Sequence, residues 1–94
     1  MTSDEVSALL EEIASAEVVA LDLETTGLDP RRDEIRLLSL ATPGGIWLIE
    51  CSKLDPGPIL AALAGKKLIA HNSMFDLLFL RRFGFKHRGA LRTP

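Results

Sequence analysis

Two carboxylates stand two residues apart in the segment EVVALDLE (residues 17–24): Asp22 and Glu24. In an extended strand, alternate side chains share a face, so both acids point the same way. They fall at the strand's C-terminal end, where open α/β sheets usually carry their chemistry. Like charges so close repel, and a buried strand face raises the cost. A divalent cation would offset that cost, and hard carboxylate oxygens suit Mg²⁺ or Mn²⁺. The competing account is that the strand stops at Leu23 and water solvates both acids. A second polar pair, Asn72 and Asp76, is spaced four apart. On a helix these would share one face. Asp76 interrupts the apolar run MFDLLFL (residues 74–80). An isolated acid there marks either a solvent-facing stripe or a functional group aimed inward.

The elements that would position these residues follow from periodicity. Val6, Leu9, Leu10 and Ile13 predict an amphipathic helix over 3–15. Thr2 and Glu5 have capping-box spacing, with Ser3 as the alternative cap. Strands are expected over 17–24, 35–42 (IRLLSLAT), 45–50 (GIWLIE) and 67–70 (KLIA). Apolar residues on both faces of the first strand imply a central position covered on both sides. Gly27 and Asp29-Pro30 mark residues 25–34 as a loop, and Pro43-Gly44-Gly45 joins the second and third strands as a hairpin. Pro58 opens a short helix that Gly65 ends. A last helix runs from Ser73 to about Phe83, capped by Asn72 or Ser73 and stopped by Gly84. Its N-terminal turn would approach Asp22 and Glu24 if the fourth strand lies parallel beside the first. The final ten residues are expected to be loose.

ALDLETTGLDP (20–30) and LIAHNSMFDLLFLRRFG (68–84) resemble the first and second motifs of the 3′→5′ exonuclease superfamily. The likeness is to its DNA polymerase I proofreading and ribonuclease D-like branch. The two motifs cover about a third of the chain, in the family's order, and are jointly specific where neither is alone. The resemblance implies an α/β fold, the ribonuclease H-like mixed sheet. In it, an antiparallel three-strand unit joins a parallel fourth strand, with flanking helices. It implies Asp22 bridging two Mg²⁺ or Mn²⁺ ions, Glu24 on one and Asp76 on the other. It implies Thr25 contacting the terminal nucleotide, Leu28 wedging against its base and Asn72 supporting the substrate. The implied partner is a nucleic-acid 3′ end, DNA in preference to RNA.

The sequence also departs from that pattern. The family's third motif supplies a fourth carboxylate and a Tyr or His that orients water. This chain has no tyrosine. His87 has no aspartate at the required spacing, since position 92 is Arg, and His71 precedes the second motif. Residues 1–94 are therefore read as a partial exonuclease domain that stops before the last strand and helix. Weak or no activity is expected of it alone. A non-catalytic module binding nucleic acid or a protein is the alternative. The sheet edge left open by a missing strand would then be a route to self-association.

Bulk properties agree. With 94 residues, 47% of them hydrophobic, one core fits. A single cysteine, Cys51, rules out an internal disulfide. No apolar run approaches a membrane span and no signal pattern opens the chain, so a soluble cytoplasmic protein is the expectation. The net charge of −2 is uneven: residues 1–55 carry −8, and residues 56–94 carry +6. A basic segment beside clustered acids suits a phosphodiester, although a solvated helix end explains it equally. Trp47 reads as core or edge packing, and Cys51 as unreactive. Phe75, Phe79 and Phe83 read as one helix face buried on the sheet.

Overall fold

A computed structural model describes residues 1–92, except for the side chain of Ser73. Helix α1 spans Ser3–Ser15 and begins at the expected capping box. The Glu5 amide donates to the Thr2 hydroxyl at 3.2 Å, and the Thr2 amide donates to the Glu5 carboxylate at 3.0 Å. The Thr2 amide, and then the Thr2 hydroxyl, lower the Glu5 carboxyl pKa from its ordinary value. The last turn contains no basic residue of its own. Lys66 supplies one from a distance: its ammonium donates to the carbonyls of Ala14 and Ala16, each at 2.9 Å. A cation on the terminal carbonyls satisfies orphan acceptors and complements the helix dipole.

Strands β1 (Val18–Thr25), β2 (Ile35–Thr42), β3 (Gly45–Glu50), β4 (Lys67–Ala70) and β5 (Leu91–Arg92) form one sheet in the order β3-β2-β1-β4-β5. The first three pair antiparallel, and β4 runs parallel to β1 and to β5. This is the expected mixed sheet with β1 at its centre. Helix α2 (Gly57–Leu63) leads into β4, and α3 (Ser73–Leu80) follows it. The face of β1 bearing Val19, Leu21 and Leu23 is buried and shares a core with Leu9, Ile13, Leu38, Leu40, Ile49, Leu60, Leu63 and Leu68. The opposite face is only partly covered, contrary to the expectation for both faces. On it Val18 and Ala20 are half-buried, while Asp22 and Glu24 are exposed. Ile46 and Leu48, in register with Ala41 and Ser39 on that open side, are 76% and 57% exposed. Trp47 packs half-buried against the core, as expected.

Two expectations for the C-terminal part are corrected. The last helix does not run uniformly to Phe83: after Leu80 it tightens to a 3₁₀ turn, Arg81–Phe83. Three residues per turn instead of 3.6 shifts the phase of the face. Phe75 and Phe79 still pack inward, but Phe83 turns outward, 40% exposed. The chain leaves this turn at Gly84, with φ 76°.

The other correction is that residues 85–92 of the tail are docked rather than loose (Thr93 and Pro94 lie outside the described residues), and the outer side of β4 is not an open edge along its whole length. Leu68 and Ile69 pair with Leu91 and Arg92, and the Leu68 amide donates to the Ala90 carbonyl at 2.8 Å. His87 Nε2 lies 2.7 Å from the Lys66 carbonyl oxygen, and the Arg88 amide donates to the Ala64 carbonyl at 2.7 Å. Gly89 permits this approach, because a Cβ there would collide with the backbone of Lys66 and Gly65. Gly89→Ala is therefore expected to release β5 and speed hydrogen exchange at the Leu68 amide. Unchanged exchange in that variant would contradict the docking. No helix among the described residues is long and apolar enough to cross a membrane.

Candidate active site

Strand β1 continues through the acidic pair to Thr25, so the strand does not stop at Leu23. Both acids are nevertheless exposed. The expectation of a costly buried pair is corrected on this point: they lie at the strand's end, beyond the half-buried Val18 and Ala20. Register places Asp22 in a row with Ser39 and Leu48, and Glu24 in a row with Leu37 and Glu50. Between Glu24 and Thr25 the register jumps from Leu37 to Ile35, leaving Arg36 as an extra residue on β2. Such a bulge bends the ladder and re-aims the residues beside it.

The buried acid is Asp76, only 4% exposed. Helix α3 holds it there through Phe79 and Leu80, three and four residues further on and both buried. Phe79 also packs on Phe75 with ring centroids 4.8 Å apart. One carboxylate oxygen of Asp76, Oδ2, has no hydrogen-bond partner among the described residues. Burial and then the charge of Asp22 push the Asp76 pKa up to about 6. A hydrogen bond with the Asn72 backbone and the charge of His71 pull the other way. The fold thus brings Asp22 and Asp76 within electrostatic reach across the β1–α3 boundary. Glu24 shares the face of Asp22 but closes no cage: among the described residues, no three His, Cys, Asp or Glu side chains converge as a metal site.

The remaining candidates surround this pair. The Thr25 hydroxyl donates to the Gly27 carbonyl at 2.7 Å, and Leu28 projects from the following loop, 85% exposed. Asn72 takes the N-cap position of α3, but its side chain makes no capping bond, contrary to the expected role. Ser73, the other expected cap, has its side chain outside the described residues. A groove of about 950 Å³ runs from Glu24 and Thr26 past Leu37 and Leu48 to Arg82 and Phe83. Arg82 and Asp33 were not singled out in sequence, yet the Arg82 guanidinium donates to the Asp33 carbonyl and ties the end of α3 to the loop after β1. The basic LRRFG segment carried a charge signal, but nothing local specified its partner.

Comparison with known families decides what this arrangement belongs to. Residues 1–93 match the family described as 3′-5′ exonuclease. The chain is a member of the 3′-5′ exonuclease family. Solved structures agree with the fold. A Trypanosoma brucei RNase D in complex with RNA U12 superposes with TM-score 0.81 at 17% identity, covering 97% of this chain and 35% of that one. Escherichia coli RNase D gives 0.73 at 25% identity, covering 88% and 23%. Brucella melitensis NrnC with bound Mg²⁺ gives 0.66 at 27% identity, covering 82% and 41%. This exonuclease-family chain therefore spans less than half the length of those structures. Curated proteins give no match.

Proposed function

We propose that this chain supplies the metal-binding carboxylates of a 3′→5′ exonuclease site that hydrolyses phosphodiesters at a nucleic-acid 3′ end. The observation that carries this is the unpartnered, buried Asp76 Oδ2 beside the charge of Asp22. Buried polar atoms almost always find partners, and an orphaned carboxylate oxygen within the field of another acid fits a hard cation. Asp22, Glu24 and Asp76 would hold Mg²⁺ or Mn²⁺, in line with the Mg²⁺-bound NrnC structure. Two such ions, when bound, supply charge stabilisation to the attacking and leaving oxygens. The chain's own residues do the rest. Asp76, with its pKa at about 6, is ionised near neutral pH and available as a ligand. Thr25 and the exposed Leu28 receive the terminal nucleotide, and the exposed Asn72 side chain, which makes no capping bond, is available to the substrate beside them.

The substrate class is a nucleic-acid 3′ end. The motif resemblance favours DNA, whereas the E. coli RNase D structure is described as that of an exoribonuclease and NrnC has been solved bound to pGG. Both DNA and RNA oligonucleotides therefore belong in the assay. With no three such side chains already converged on one point among the described residues, and no tyrosine in the sequence, activity of the chain alone is expected to be weak or nil. The same observation favours, as a second reading, a module that binds nucleic acid without cleaving it.

Thermal melting with and without Mn²⁺ or Mg²⁺ tests the metal reading. A ligand at about a hundredfold excess over its Kd stabilises by about 2.7 kcal/mol. In a chain this small, that raises the Tm by about 10 °C or more. Asp22→Ala is expected to abolish the response. A wild-type Tm indifferent to either ion would rule out the metal site. A nuclease assay then separates the two readings: cleavage lost in Asp22→Ala favours the enzyme, and binding without cleavage favours the module.

A further inference from the structure

We propose that Asp33 is a positioning residue: its carboxylate holds the loop of residues 26–34 in shape, and so presents Leu28 to the substrate before binding. The proposal rests on the exonuclease reading of the neighbouring carboxylates. Asp33 Oδ2 accepts the Asp29 amide at 2.9 Å, and Oδ1 lies 3.4 Å from the Thr26 hydroxyl that donates toward it. The Asp33 amide donates back to the Asp29 carbonyl at 2.8 Å. Gly27 lies so close to the same carboxylate that any Cβ there would strike it. One side chain therefore holds both arms of the loop from inside.

The outer anchors join the two ends of the loop. The Thr26 amide donates to the Glu34 carbonyl, and the Glu34 amide to the Thr26 hydroxyl, each at 2.9 Å. Arg82 closes the loop from the side by donating to the Asp33 carbonyl. That contact matters because Arg82 follows α3, the helix that carries Asp76. The loop tip is thus referenced to both ends of the carboxylate site. Leu28 stands on this frame with 85% of its surface in water. An apolar side chain held out on an ordered loop gains by meeting an apolar surface, and a nucleobase face offers one. Ordering the loop during folding spares that entropy at binding.

The test uses the full chain and a fluorescein-labelled short single-stranded oligothymidylate in Ca²⁺ buffer, read by anisotropy. Asp33→Ala is expected to weaken binding about fivefold, the scale of re-ordering one or two side chains. Asp33→Asn keeps an acceptor for the Asp29 amide and is expected to stay within about twofold of the unsubstituted chain. In a Leu28→Ala background, Asp33→Ala should add less than about twofold, since it acts through Leu28. By NMR, the Asp29 amide should exchange faster in Asp33→Ala and not in Asp33→Asn. Any of three results would overturn the proposal: Asn as damaging as Ala, full additivity with Leu28→Ala, or Asp29 exchange unmoved by Asp33→Ala. If the unsubstituted chain melts higher with metal but binds no oligonucleotide, substrate capture by this site is disproved, and this role with it. If it binds and Asp33→Ala changes nothing, only the Asp33 role falls.

Discussion

In EDTA, the stability of the chain is expected to fall as pH rises from about 4 to about 6.5 (a window set by the Asp76 carboxyl), and Asp76→Asn is expected to remove that fall. The folded chain holds the Asp76 proton up to about pH 6, against an ordinary value of 3.8. Between those values the folded state retains a proton that the unfolded state releases. Raising the pH therefore draws the equilibrium toward unfolding. The contribution is fully present below 3.8 and gone above about 6. Its size is at most roughly 3 kcal/mol, a large share of what a small domain has. Glu5, held low by its cap, works in the opposite direction, so the informative quantity is the difference between the two proteins. Urea denaturation across the pH range measures it. At pH 7.5 without metal, Asp76→Asn should be the more stable protein, because it buries no charge. Adding Mn²⁺ should raise only the parent. Parallel pH profiles for the two would show that Asp76 does not carry this burden.

Phe79→Ala is expected to cost about 3–5 kcal/mol, through lost burial and the cavity left behind. Phe79 is fully buried, packs tilted against Phe75 and pins the face of α3 that carries Asp76. The functional consequence is that the variant should lose the metal-induced rise in Tm along with its stability, even though no ligand has been touched. Phe79→Leu keeps most of the volume and should lose less than half as much while retaining the response. A Phe79→Ala protein that melts normally would mean that α3 is held by something other than its aromatic stripe.

Much of the scaffold was readable from short-range signals. The capping box, the Pro-Gly-Gly hairpin and alternating apolar residues place α1 and the first four strands within a residue or so of their observed bounds. These features depend on each segment's own residues. What was not legible depends on distant partners. Two residues, Leu91 and Arg92, have no periodicity, and become a strand only because β4 offers an edge and Gly89 allows the approach. The tightening of α3 at Arg81 left no mark in composition, so Phe83 was placed on the wrong side. At the site, the types and spacing of Asp22, Glu24 and Asp76 are what the proposed metal chemistry is read from, but they do not say which acid is buried. That depends on how far α3 covers the sheet, which no local pattern records. Asp33 was read simply as part of a loop, because its partners at Thr26, Gly27 and Asp29 matter only once the loop has closed.

The central position of β1 has a consequence during synthesis. Its antiparallel partner follows within twenty residues, so a three-stranded meander needs only near-neighbour contacts. Its parallel partner, Lys67–Ala70, is translated much later. Until then the nascent chain presents the other edge of β1, with the backbone groups of Val18 to Leu21 that β4 will pair still open. Non-local parallel pairing is slow, and unpaired apolar edges recruit other chains. The interval between residue 25 and residue 70 leaving the ribosome is therefore when this polypeptide is most exposed to aggregation, and when a chaperone would have most to protect.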